Sequence, residues 1–525
     1  MNGWKTARLC CVATIVGLVV IPPSLLLVQA GTTEPAQSVW TPAFFRAVWQ
    51  SIKLAGGVTL WSLAVGGVVG VSVALYTGRG ARLLLILQVL PLLLPSFLPS
   101  IGWSNWQVWL HERLPGPSGL FQVPPLVASV WVLGWQYTAL PLLTAWTACR
   151  SLRASQIESA RLAGGERLVL KLTARTCFVP TLLAAVLAGV LSLSDVGAPL
   201  IFGLRTAAVE IRTSFSALFD YSLAARQSLV LALLVLALVS PAVMLGVPQL
   251  ASAVLAKQTQ PLTPTHHKWW SRLSGGLLTL VLAAAVVIPA AGLALPVVEH
   301  PMFGRAWAEI AQALPSTVVF AGSAAAVAVG LGLLLSLCAA RNRRVQTIAV
   351  GVLVVVFALP PATGALGVAR LAAASPAAFD WLLRSQATVG WVTGLHVLPV
   401  AAVLLLRAVR SVSESWLEAA RLHGLHSRQV LFKIVLPFLW PAVLVSGLLT
   451  AVLALADIVT TLLLAPPGKQ SVPVAIFTVM ANSPEGLVGS LCLLYVAAVA
   501  GLLTAGTAAV WLFGKTSQQP GVSNG

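Results

Sequence analysis

The chain has 525 residues, 58% hydrophobic and only 9% charged, with a formal net charge of +18 and a mean hydropathy of +0.92. One soluble core does not bury that much apolar surface, so a water-soluble globular or disordered protein is excluded. Apolar runs of spanning length recur along the chain, and none has the ten-residue alternation of an outer-membrane barrel; the fold class is an all-α polytopic membrane protein.

In chain order, hydropathy predicts about twelve spans, at 9–29, 54–76, 83–103, 124–148, 178–194, 228–252, 274–296, 314–338, 346–369, 388–406, 438–458 and 488–513. The first follows Lys5 and Arg8 and ends on Val28-Gln29-Ala30, like a cleavable signal peptide. A matching span at 274–296 follows Lys268 and Arg272 in mid-chain, where no signal peptide can act, so span one is read as retained.

Threaded from a cytoplasmic N-terminus, these spans leave 22 of the 32 Lys/Arg inside, with only Glu158, Glu166, Glu414 and Glu418 of the 14 acidic residues beside them. The inner loops therefore carry the whole +18. That pattern is the positive-inside signal and predicts both termini in the cytoplasm. Nucleic-acid binding, the other reading of so basic a chain, needs a basic face on a soluble domain, and these charges sit in short loops at span ends.

The chain repeats itself. Glu158-Ser159-Ala160-Arg161-Leu162-Ala163-Gly164 returns as Glu418-Ala419-Ala420-Arg421-Leu422-His423-Gly424, each in a basic loop between the fourth and fifth span of a six-span half. Arg79 and Arg82 against Arg341 and Arg344, Lys171 against Lys433, and Asp195 against Asp457 keep a spacing of 262. Two parallel six-span domains are predicted, at 1–256 and 273–514, with a cytoplasmic linker at 257–272 and a tail at 515–525.

No catalytic, cofactor or metal constellation emerges. Cys10, Cys11, Cys149, Cys177, Cys338 and Cys492 have no CxxC spacing and are read as small packing residues; His266-His267 lacks a neighbouring ligand. Gly514-Lys515-Thr516 ends like a phosphate-binding loop, but position 509 is Ala where its first glycine belongs. Leu273-Ser274-Gly275-Gly276 resembles an ATPase signature loop, yet it opens a span. Energy for any work must come from another polypeptide.

The repeated loops are where that polypeptide would attach. Glu418 to Leu422 starts a short helix, Gly424 allows a turn, and Pro437 sits at the entry to the next span, where a missing N–H is harmless. Such a projection suits a groove on a soluble partner.

Glu418, Ala419, Ala420, Gly424, Leu436 and Pro437 together resemble the coupling loop of binding-protein-dependent ATP-binding cassette importer permeases, the fused two-domain kind of the ferric-iron and thiamine branch. The resemblance implies two tandem six-helix domains of the MetI-like type in a bacterial inner membrane, two ATPase subunits docked on the coupling loops, and a periplasmic binding protein that delivers substrate. It assigns coupling to Glu158, Ala160, Gly164, Glu418, Ala419, Ala420, Gly424 and Pro437. The first copy departs from the pattern, with Ser159 for the first alanine, a shorter loop and Arg175 in the place of Pro437.

Asp195-Val196-Gly197-Ala198-Pro199-Leu200 and Leu462-Leu463-Leu464-Ala465-Pro466-Pro467-Gly468 are similar to the matching segments of ferric-iron permeases, which favours iron over thiamine, phosphonate, sulfate or polyamine. Asp195 and Asp457, the carboxylates at membrane depth, are candidates for the translocation pathway; the alternative is that they cap span ends. Connections at 104–123, 195–227 and 459–487 are expected to be outer loops forming a docking rim, and Trp103, Trp106 and Trp109 an interfacial belt. Two rival classes remain. An ion-coupled secondary transporter would carry ionisable residues inside several spans, and a membrane-embedded enzyme would show a His/Asp/Glu cluster; the spans show almost none of either.

Overall fold

The computed structural model describes residues 38–76, 82–113, 123–255, 268–374, 381 and 384–516. The predicted span at 9–29, Cys10, Cys11, His266 and His267 lie outside them. Among the described residues every regular element is helical: nine helices are long and apolar enough to cross a membrane, and eleven if each of two bent pairs is one span.

The first described span runs from Pro42 to Tyr76. It comprises α1 (Pro42–Ser62), a π turn (Leu63–Gly67) and α2 (Val68–Tyr76). Thr41 caps it by accepting from the Phe44 amide at 3.1 Å, and Pro42 occupies the first turn, where its lost N–H costs nothing. Next come α3 (Arg82–Leu87), α4 (Leu90–Leu93) and α5 (Phe97–Arg113), a pair of segments bent by 91°. The cause is local. Pro95 forces Leu94 out of the helical region, to φ −93° and ψ 134°.

Helices α6 (Pro125–Tyr137) and α7 (Ala139–Cys149) form one span, followed by α8 (Ala154–Leu193). Two short helices, α9 (Gly197–Ile201) and α10 (Ala207–Ser216), precede the long α11 (Tyr221–Leu255). Beyond residue 267, α12 (Lys268–Leu282), a π turn (Ala283–Val287) and α13 (Ile288–Glu299) build the next span. The widened turn lies just before Pro289, which has no N–H to continue the ladder.

Then follow α14 (Phe303–Ala339) and a second bent pair, α15 (Arg343–Ala358) and α16 (Pro361–Ala374), which turns by 80°. Here Pro360 holds Leu359 extended, at ψ 139°. The chain continues through α17 (Gln386–Ser411), α18 (Glu414–Leu422), α19 (Ser427–Val430), a π turn (Leu431–Val435) and α20 (Leu436–Ala456). It ends with the short α21 (Ile458–Leu464) and α22 (Val472–Val479) and the long α23 (Glu485–Thr516).

Four sequence expectations need correction. The spans expected at 54–76 and 178–194 are the ends of helices of 35 and 40 residues, because apolar windows do not see the polar continuation of a helix. Those at 83–103 and 346–369 are broken at X-Pro bonds rather than straight. The outer connections at 195–227 and 459–487 are largely helical. The linker expected at 257–272 is already helical from Lys268.

Packing does not keep the two halves apart. One core cluster joins Val69, Leu93 and Phe97 to Leu278, Leu293, Ile476 and Leu491; another joins Leu183, Leu231 and Val247 to Leu335, Leu353 and Leu398. Each cluster draws on both sides of the connection at 256–267, so the halves bury each other's apolar faces.

Candidate functional site

Two features stand out: a pair of polar handles and a cavity between the halves. The first handle is the N-terminal part of α8, interrupted at Gly164 (φ −155°, ψ 18°) and Gly165 (φ 64°, ψ −162°). Arg161 and Glu166 clasp across this kink at 2.7 Å, and the Tyr76 hydroxyl donates to the other Glu166 oxygen at 3.2 Å, tying the handle to the end of α2. In the second handle α18 closes with Gly424 at φ 71°; the Leu425 amide donates to the Ala420 carbonyl at 3.0 Å, the long bond of a Schellman cap.

Of the residues expected to act in coupling, Glu158, Ala160 and Gly164 lie on the first handle and Glu418, Ala419, Ala420 and Gly424 on the second. Ala160 and Ala420 face inward and are buried, while Glu158, Glu418 and Ala419 lie on the outer side. Pro437 stands in the first turn of α20, after the π turn. One expected correspondence shifts. The left-handed glycine of the first handle is Gly165, not Gly164, because the first copy is kinked within one helix where the second breaks into two.

Sequence reasoning missed the most exposed apolar groups of the handles. Leu162 is 91% exposed and Leu422 88%, at equivalent positions just before each turn. The repeated Arg-Leu pair was the available signal; the exposure needed the fold.

The cavity, of about 640 Å³, is walled mainly by apolar side chains of α8, α10, α11, α15, α17 and α21. Asp195 and Asp457 both line it. Asp195 accepts from Ser96 Oγ at 2.8 Å and the Ala198 amide at 3.1 Å, with the Tyr137 hydroxyl as a further donor. Asp457 caps α21, accepting from the Thr460 amide at 3.1 Å and from the Thr460 hydroxyl. Both carboxylates thus accept from an amide in the first turn of a short helix, as the capping alternative expected, and both line the cavity.

Three further polar liners were not singled out from sequence. Arg212 sits 5.1 Å over the Phe477 ring, joining the short helices of the two halves across the cavity. Gln136 donates to the Leu94 carbonyl at 2.9 Å, satisfying backbone freed by the Pro95 break. His396 lies within predicted span 388–406, stacked on Phe357 at 5.9 Å and in electrostatic reach of Asp457, an ionisable group that the expectation of nearly charge-free spans overlooked. Trp106, one of the tryptophans expected in an interfacial belt, donates its indole N–H to the Ile288 carbonyl at 2.8 Å where α5 packs against α13. Among the described residues no group of three or more His, Cys, Asp or Glu is placed to hold a metal ion.

Residues 328–516 match the family model for the binding-protein-dependent transport system inner membrane component. No curated protein and no solved structure matches the chain. The matched region runs from α14 through α23 and contains the second handle, the second bent pair and Asp457. It supports the role of an ATP-binding cassette importer permease, a multi-pass transport component whose family works with an ATPase and a binding protein.

Proposed function

We propose that the whole chain is a fused two-domain permease whose halves share one translocation pathway and couple it, through both handles, to two ATPase subunits. The observation that carries this reading is the pair Leu162 and Leu422. Nearly fully exposed leucines at matching positions on polar helical projections are anchors for a partner's groove. Their flanking Glu158, Arg161 and Glu418 fix register.

Duplication is supported by the element bounds. Pro42–Tyr76 and Phe303–Ala339, Ala207–Ser216 and Val472–Val479, and Tyr221–Leu255 and Glu485–Thr516 recur about 262 residues apart. A hydroxyl on the long helix tethers the start of the short helix in each half: Ser51 Oγ accepts from the Ala207 amide and Thr317 Oγ1 from the Val472 amide, each at 2.9 Å.

In this reading the cavity at Asp195 and Asp457 is the pathway, both termini are cytoplasmic, and the membrane is the bacterial inner membrane. ATP binding draws the handles together and rocks the halves, so that the cavity changes sides as a periplasmic binding protein releases its load; hydrolysis resets it. The proposed cargo is ferric iron, on the similarity of the Asp195–Leu200 and Leu462–Gly468 segments to iron permeases, with thiamine or phosphonate as alternatives. In this reading ATP hydrolysis falls to the separate subunits, and the chain carries no catalytic residues for transport.

Co-purification from native membranes with mass-spectrometric identification tests the reading. Wild type should retain an ATPase, and Leu422→Asp and Leu162→Asp should each lower its recovery roughly tenfold, the loss of one interface anchor. Unchanged recovery in both would refute docking through the handles. His396 beside Asp457 favours one rival, an ion-coupled secondary transporter; uptake into vesicles driven by a proton gradient without ATP would establish it instead.

A further inference from the structure

Cys149 and Cys177 form a pair that the transport reading does not use. Their sulfurs are 3.0 Å apart, with the side chains 0% and 2% exposed. Cys149 is the last residue of α7, and Cys177 lies in the shaft of α8, so the pair sits where the chain leaves the span and returns to it. The 28-residue separation encloses the whole first handle, including the Gly164–Gly165 kink. The sulfurs sit in a cluster with Ala74 from α2, Ala148 from α7 and Ala253 from α11, against which Val71 and Trp146 pack, so bringing them to bonding distance takes a small movement of α7 against α8.

We infer that Cys149 and Cys177 are a reversible thiol-oxidation site, a staple that a hydroperoxide closes at the base of the first handle. The gap is about 1 Å longer than a disulfide bond. In the first step one cysteine sulfur attacks hydrogen peroxide; an S–O bond forms, the O–O bond breaks, and the departing hydroxide takes the thiol proton as water. The other sulfur then attacks the sulfenic sulfur, the S–O bond breaks, and the hydroxyl leaves as a second water with the second thiol proton. Two thiols lose two electrons and one peroxide becomes two waters. The second step is intramolecular, because the partner sulfur already touches its target. Burial slows the first step, so the site responds to a small oxidant and resists bulky reagents. In a reducing compartment, thiol exchange reopens the bond when local opening of α7 against α8 admits the attacking thiolate.

The consequence is one-sided. Closing the bond pins the shaft of α8 to the end of α7 and removes the freedom of the kinked arm above it. The positions 262 residues later are Ser411 and Leu439, so the second handle has no such pair. The regulatory effect on transport rests on the coupling role proposed above; the chemistry of the pair does not.

The experiment treats native membranes containing the full chain with hydrogen peroxide, quenches, alkylates remaining thiols in denaturant and maps peptides by mass spectrometry. The expected result is a linked Cys149–Cys177 peptide, reversed by a thiol reductant, absent from Cys149→Ser and Cys177→Ser, and accompanied by several-fold slower amide exchange in residues 154–168 of wild type. Recovery of both thiols alkylated, or of separately over-oxidised cysteines, overturns the site. A link without any change in exchange overturns the restraint on the handle. Should only the coupling reading fail, the link and the slowed exchange remain while ATPase recovery is the same from oxidised and reduced membranes.

Discussion

Gly102 and Gly292 meet backbone to backbone where α5 crosses α13. A methyl group added to Gly102 would lie 2.1 Å from the Pro289 carbonyl oxygen, and one added to Gly292 would lie 2.0 Å from the carbonyl oxygen of Gly102. The approach lets Asn105 and Trp106 reach the Gly292 and Ile288 carbonyls at 3.1 and 2.8 Å, so one crossing locks the first half's broken span onto the first span of the second.

Gly102→Ala must therefore push two helices apart. The expected loss is about 1–3 kcal/mol, the usual cost of overpacking, read as a lower thermal midpoint in detergent. Gly364→Ala is the control. It lies 262 residues further on, and its added methyl meets only a Val392 methyl at 3.4 Å; its midpoint should stay close to wild type.

Gly424→Ala places a side chain at φ 71° with open space around it, so its cost is conformational. About 1 kcal/mol of strain is expected, appearing as faster amide exchange across α18 with no effect on the first handle. Gly165→Ala, at φ 64° and ψ −162°, a region essentially reserved for glycine, should cost more, about 1–3 kcal/mol, and speed exchange in α8 alone. Gly164→Ala should disturb the kink by crowding instead of by strain, because its methyl would lie 2.9 Å from Leu168 Cβ, which moves only with the α8 backbone.

Gln136→Leu removes the donor that satisfies the Leu94 carbonyl at the Pro95 break. A buried carbonyl left without a partner costs about 1–3 kcal/mol. The change should lower the thermal midpoint, whereas Gln227→Leu, away from any break, removes only an acceptor from the Ser214 hydroxyl and leaves no stranded backbone group.

Asp220 supplies a pH test. It precedes α11 and accepts from the Leu223 amide and the Ser222 hydroxyl, both at 2.9 Å. The Leu223 N–H, above all, holds its carboxyl below the ordinary range. A carboxyl lowered in the folded state stabilises fully above its unfolded pKa, near 4, and that contribution fades as pH falls through the lower folded value. Asp220→Ala should thus lower the thermal midpoint at pH 6, the loss of one N-cap being about 0.5–2 kcal/mol. The difference from wild type should narrow as the pH is taken toward 3.

Sequence alone determined the class and the handles, since hydropathy and charge are properties of composition along the chain: +18 gathered at span ends, a heptapeptide said twice, and Asp195 and Asp457 at one spacing. It also contained the breaks at Pro95 and Pro360, which went unread because an apolar window is blind to the φ and ψ that proline imposes on its neighbour. Only the tertiary structure decided that the two halves share their cores, that Asp195, Arg212, His396 and Asp457 line one cavity, that Leu162 and Leu422 stand uncovered, and that Cys149 touches Cys177. Each of these depends on which helix faces which, and that is set by backbone approach at positions such as Gly102 and Gly292, through contacts between residues nearly 200 apart in the chain.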